Sequence, residues 1–136
     1  MMRKQDYVAL AAFRRSLRKF LRFVEDGAIE AGLTPQQHQV LLAIQGQPER
    51  DWATVGELAD FLQLKHHATV GLVDRCQSGG FVERTTDPID RRVVRVSLTE
   101  KGDDVLARLT QRNLRELRAL GRFTAELDAL APIDNA

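Results

Sequence analysis

Cysteine is almost absent from this 136-residue chain, Cys76 being the only one. An internal disulfide is therefore excluded, and the lone thiol fits a reducing compartment. Long apolar runs are missing too. Near the start, the longest stretch without charge is Tyr7 to Phe13, too short to span a membrane and not followed by a small-residue cleavage signature. The expectation is a soluble, cytoplasmic, untargeted chain with no membrane partner. Nor is there a Gly-rich phosphate loop, a Ser-His-Asp spacing or a metal-ligand cluster, so no enzyme, cofactor or metal is expected. No internal repeat or low-complexity tract is evident, and a composition of 43% hydrophobic and 29% charged residues is that of one ordinary globular domain. A chain of this length buries roughly 70% of its unfolded surface and needs no covalent staple.

An excess of either charge is also lacking, the formal net charge being +1. That sum argues neither for nor against nucleic acid, because binding depends on where charge sits. Residues 1–22 hold Arg3, Lys4, Arg14, Arg15, Arg18, Lys19 and Arg22 against Asp6 alone, and Arg91, Arg92 and Arg95 form a second basic cluster.

The apolar residues from Gln5 to Ala31 (Tyr7, Leu10, Phe13, Leu17, Phe20, Leu21, Val24 and Ala28) recur at three- and four-residue spacing and predict a long amphipathic helix that Gly32 stops. Thr34-Pro35-Gln36-Gln37 combines an N-cap hydroxyl, a first-turn proline and a capping-box glutamine, opening a helix to about Gln45. A polar Gly- and Pro-containing loop follows, then Trp52-Ala53-Thr54 as a very short strand. The capping-box spacing recurs at Thr54-Val55-Gly56-Glu57, with Val55, Leu58, Ala59 and Leu62 facing a core. After the turn Gln63-Leu64-Lys65, a helix runs from His66 to about Ser78 and ends at Gly79-Gly80. The period then changes to twofold. Phe81 to Arg84 and Val93 to Leu98 read as a hairpin around the turn Thr86 to Arg92. Thr99 caps a last long helix, which Gly121 is expected to separate from a short one carrying Leu127 and Leu130.

Two short helices joined by a tight turn and followed at once by a hairpin are the parts of a winged helix-turn-helix, here from Thr54 to Leu98. The major groove, roughly 12 Å wide, admits one helix whose N-terminal residues meet base edges. Those residues are Lys65, His66, His67 and Thr69. The tip Asp90-Arg91-Arg92 would reach the neighbouring minor groove, where negative potential favours a guanidinium.

Several short elements together resemble the multiple-antibiotic-resistance regulator (MarR) family. They are Leu58-Ala59, Leu72-Val73-Asp74-Arg75, Gly80-Phe81-Val82, Asp87-Pro88-Ile89-Asp90-Arg91-Arg92 and Leu98-Thr99-Glu100-Lys101-Gly102. The resemblance covers nearly the whole chain. It implies a mainly α fold with a small β-hairpin wing, in which residues 1–136 form a single domain. Dimerisation helices at 5–33 and 99–131 flank a winged helix-turn-helix at 34–98. It also implies a homodimer that binds palindromic double-stranded operator DNA, often as a repressor, and releases it when a small aromatic or anionic effector enters the crevice between the dimer helices and the winged domain. No motif identifies the effector residues. By resemblance Arg92 enters the minor groove with Asp90 orienting it, and Arg75 meets phosphate or supports the groove. Two positions depart from the family's habit: Lys65 replaces the usual side-chain cap, and Gly71 stands where a polar or basic residue is common.

Each feature has a plainer reading. The wing tip could be a solvated turn with a surface ion pair, worth about 0–1 kcal/mol. His66 and His67 are neighbours that point apart on a helix, which disfavours a metal, and His38 reads as a packed or capping residue. Cys76 most simply fills core space; a redox role would need an exposed, electropositive thiol. The family's peroxide sensors carry their cysteine in the first helix, where this chain has none. The basic first helix could line a dimer, track phosphates or lie on a membrane surface. A winged-helix module used only for protein contacts is the alternative function.

Overall fold

The computed structural model describes residues 1–128, with side chains described as far as Gly121. Helix α1 spans Lys4–Glu30 and begins where Asp6 accepts a hydrogen bond from the Arg3 backbone N–H at 2.9 Å. It stops at Gly32, whose φ of 89° lets the Leu33 N–H turn back to the Ala28 carbonyl at 2.9 Å. Thr34 and Gln37 then form the expected reciprocal cap, at 3.1 and 2.9 Å, on α2, Pro35–Gln45. Helix α2 is the centre of the molecule, with His38, Val40, Leu41, Ala43 and Ile44 buried.

Strand β1 is Trp52–Ala53, and the Thr54–Glu57 box opens α3, Val55–Leu62. Helix α4 is His66–Ser78, β2 is Val82–Thr86 and β3 is Val94–Leu98. The three strands form one antiparallel sheet in the order β1-β3-β2, with Trp52 opposite Ser97 and Val82 opposite Leu98. Leu58, Leu72, Val73, Cys76, Val82 and Val96 close around α2, so the helix-turn-helix and the base of the wing share one core. The hairpin stem is longer than the sequence pattern predicts, because Thr85 and Thr86 also pair with β3.

Helix α5, Glu100–Asp128, packs on α1 and buries Val105, Leu106 and Leu109. It runs through Gly121, so the expected break there does not occur. A glycine inside a helix costs only about 1 kcal/mol relative to alanine, which the long flanking repeat outweighs. The side chain of Leu127, all of Leu130, and the expected extension to residue 131 lie outside what is described. No helix among the described residues is long and apolar enough to cross a membrane.

Candidate nucleic-acid interface

The turn between α3 and α4 is set by Gln63, which takes a left-handed conformation at φ 56° so that the Leu64 N–H can reach the Ala59 carbonyl at 3.0 Å. Lys65 is the N-cap of α4 and makes no side-chain cap hydrogen bond. The first-turn N–H groups of α4 therefore lack the side-chain acceptor that Thr34 and Thr54 supply elsewhere. Lys65, His66, His67 and Ala68 are exposed around that helix end, and Leu72, Val73 and Cys76 are buried on its other side.

Thr69 corrects the expectation drawn from the sequence. It is 0% exposed, and its hydroxyl donates to the Lys65 carbonyl at 2.9 Å. Four residues past the N-cap, it lies on the inner face of the helix and ties the first turn to itself, out of reach of a base edge. The outer ridge is instead His67, Gly71 and Arg75, spaced by four. Arg75 is exposed, and its Nη1 lies 3.6 Å from where a Cβ on Gly71 would sit, so the guanidinium lies back along the ridge over Gly71.

In the wing, Asp87 accepts from the N–H groups of Ile89 and Asp90 at 2.8 and 2.9 Å and from Arg95 Nε at 2.9 Å, with Arg95 Nη2 at ion-pair distance, 2.7 Å. The two backbone N–H groups, with Arg95, hold its carboxyl below the usual carboxylate range. Asp90 in turn accepts from Arg92 Nε at 3.0 Å, Nη2 at 3.1 Å and the Arg92 backbone N–H at 3.1 Å. That guanidinium lowers the Asp90 carboxyl, and the carboxylate raises Arg92. One edge of Arg92 is thus fixed while Nη1 points away, on a side chain 91% exposed. Arg91 and Ile89 are exposed beside it.

Sequence reasoning missed the fastening of the wing. Arg84 on β2 bonds Asp74 on α4 at 2.6 Å and also contacts Gln77. The role of Asp87 as anchor of the turn is also new from the structure; the available signal is that Asp in a turn caps backbone amides two residues on. Cys76 is buried and its thiol is pushed up to about 11 by burial.

Residues 31–93 match the MarR family. The chain is also 31% identical over 113 residues to YsmB of Bacillus subtilis, described as an uncharacterised HTH-type transcriptional regulator, a match covering 80% of this chain and 75% of YsmB. This chain belongs to the MarR family. Its members are transcriptional regulators and not enzymes. BadR of Rhodopseudomonas palustris, a transcriptional activatory protein, is 36% identical over 100 residues, covering 71% of this chain and 57% of BadR. Among solved structures, a cysteine-to-serine mutant of E. coli MarR in complex with operator DNA superposes with a TM-score of 0.68 at 25% identity, over 88% of each chain. In MarR-family terms, α3 and α4 are the helix-turn-helix, β2 and β3 the wing, and α1 and α5 the flanking helices.

Proposed function

We propose that this MarR-family regulator is a homodimer that represses transcription by binding a palindromic operator. In this reading Lys65, His66 and His67 meet base edges or phosphates, Arg75 meets phosphate along the α4 ridge, and Arg92, oriented by Asp90 and accompanied by Arg91, enters the minor groove. The observation that carries the reading is the wing tip: a guanidinium locked on one edge by Asp90, 91% exposed, on the hairpin that follows the recognition helix. Pre-orienting an arginine removes part of the ordering cost of binding.

The dimer reading is supported by apolar side chains that the single chain leaves in water. Tyr7, Val8 and Leu10 on α1 and Leu114 and Leu117 on α5 are each more than a third exposed, as expected of surfaces that a second copy covers. A twofold axis would set two recognition helices roughly 34–36 Å apart, one DNA turn.

The effector reading is supported by a crevice of about 310 Å³ among α1, α2 and α5, lined by Phe20, Leu21, Val24, Leu42 and Leu114. Its lining includes His38 and Asn113, each of which has one buried side-chain atom, Nδ1 and Oδ1, without a hydrogen-bond partner. Burial lowers the His38 pKa, so the imidazole is neutral near pH 7. Among the described residues the lining holds no Lys or Arg, which favours a neutral aromatic effector over an anionic one.

Selection from a randomised duplex pool by the purified protein tests the main reading. It should enrich an inverted repeat, and light scattering should give twice 15.3 kDa. A reporter driven through the enriched site should rise when the protein is removed. A fall would make the protein an activator, as BadR is named, and a pool that stays unenriched would favour the protein-contact module.

A further inference from the structure

Beside the Arg84 bond to Asp74 on α4, the wing has a second support. A two-stranded hairpin is marginal by itself, and the β1 ladder that flanks it is only the two pairs Trp52–Ser97 and Ala53–Val96. Trp52 extends that support in a way its backbone pairing does not. Arg95 lies two residues before Ser97 on the same face of β3, so it is the diagonal neighbour of Trp52. Its guanidinium carbon lies 4.2 Å from the centre of the indole. Arg50, from the loop before β1, stacks on the ring as well, also at 4.2 Å.

Two cations on one ring repel each other unless each is neutralised nearby, and each is. Arg50 is paired with Glu57, whose other oxygen accepts from the Thr54 N–H at 3.0 Å at the start of α3. Arg95 is paired with Asp87, which holds the backbone of the wing turn through Ile89 and Asp90. A continuous line of contacts thus runs from the N-terminus of α3 through Glu57, Arg50, Trp52, Arg95 and Asp87 to the segment that carries Arg92.

We propose that Trp52 is a positioning residue for DNA reading: held between Arg50 and Arg95, it fixes the wing to the helix-turn-helix so that Arg92 stands at a set distance from α4. This rests on the reading of Arg92 as a DNA contact. Trp52 touches no DNA in this account and acts through the wing. Its removal leaves the number of charged groups at the interface unchanged while the wing loses its angle.

The test is a double-mutant cycle on the duplex enriched by the wild-type protein, read by fluorescence anisotropy, with thermal unfolding measured in parallel. Trp52→Leu should weaken binding about tenfold, the scale of two partly exposed cation–π contacts. Trp52→Phe, which keeps a π face, should recover most of that loss. In an Arg92→Ala background Trp52→Leu should cost nothing further, because the two residues act on one contact. Arg95→Met, which uncouples the same line without cutting into the ring, should repeat the pattern and serves if Trp52→Leu does not fold. Additive losses, or Trp52→Leu or Arg95→Met binding as wild type while Arg92→Ala is impaired, would overturn the coupling alone. Arg92→Ala binding as wild type would overturn the wing contact and the coupling with it.

Discussion

Replacing Gly102 by alanine sets two physical effects against each other, and the structure decides the sign. Gly102 is the third residue of α5 and is buried. On helix propensity alone, alanine there should stabilise the protein by about 1 kcal/mol. A Cβ at that position would, however, lie 2.1 Å from the Phe81 carbonyl oxygen and 3.0 Å from its carbon. Backbone carbonyls do not swing aside as a side-chain end does, and comfortable C···O contacts begin near about 3.3 Å. Helix α5 must therefore lift by about 1 Å, which that spacing implies. The same carbonyl accepts the Thr99 N–H at 3.0 Å, and the Thr99 hydroxyl donates to the Gly80 carbonyl at 2.6 Å. Lys101 adds a bond to the Gly79 carbonyl at 2.8 Å. Overpacking of this kind costs about 1–3 kcal/mol and a lost hydrogen bond about 1 kcal/mol more. After the propensity gain the net should be a loss of about 2 kcal/mol, or roughly 6–10 °C in melting temperature for a domain of this size. Thermal unfolding followed by circular dichroism, at matched protomer concentration, reads it directly. A Gly102→Ala protein melting at or above wild type would refute the reasoning.

Gly27→Ala should behave differently although its Cβ would lie only 1.7 Å from Arg112 Nη1. The obstacle is the end of a flexible side chain, so Arg112 gives up its stacking on Phe23 at 4.0 Å, the propensity gain offsets that loss, and the melting curve should stay within about 1 kcal/mol of wild type. Gln63→Gly should raise stability by about 0.5–1 kcal/mol in urea unfolding, because the native φ of 56° strains any residue with a Cβ. His38 is held neutral by burial. Its folded pKa therefore lies below the unfolded value near 6.5, the unfolded chain takes up the proton first on acidification, and stability present above about pH 6.5 is lost as pH falls. His38→Phe should flatten that acid-side loss in melts between about pH 7.5 and pH 5.5, and an unchanged pH slope would exclude the assignment. Cys76, with its thiol at about 11, should react with a chromogenic disulfide only after unfolding; rapid stoichiometric labelling of native protein would contradict its place in the core.

The helices and strands were legible because their signals are local. Thr34 with Gln37, and Thr54 with Glu57, announce two helix starts within four residues, and the change from helical to twofold period after Gly79-Gly80 marks the wing. The direction of Thr69 was not legible in the same way. Its place near the N-terminus of α4 suggested a reading residue, and only the packing of α4 on α2 and α3 turns it inward. The continuity of α5 through Gly121 is not legible from the local breaker, because the helical repeat on either side of it outweighs one glycine. The Arg50–Trp52–Arg95 stack could not be read from the chain at all. Arg95 lies more than forty residues from Arg50 and Trp52 in sequence, and diagonal pairing depends on the register of β1 on β3.

The central claim is that α4 and the wing together hold DNA, and a salt series on the selected duplex tests it most directly. In anisotropy titrations of wild type and Arg92→Ala, the logarithm of affinity should fall linearly with the logarithm of salt concentration for both, with a slope of about −0.9 per phosphate neutralised. Arg92→Ala should bind at least about tenfold more weakly at every salt concentration, as expected for loss of one specific groove contact. Salt-independent binding, or equal affinity of the two proteins across the series, would contradict the account.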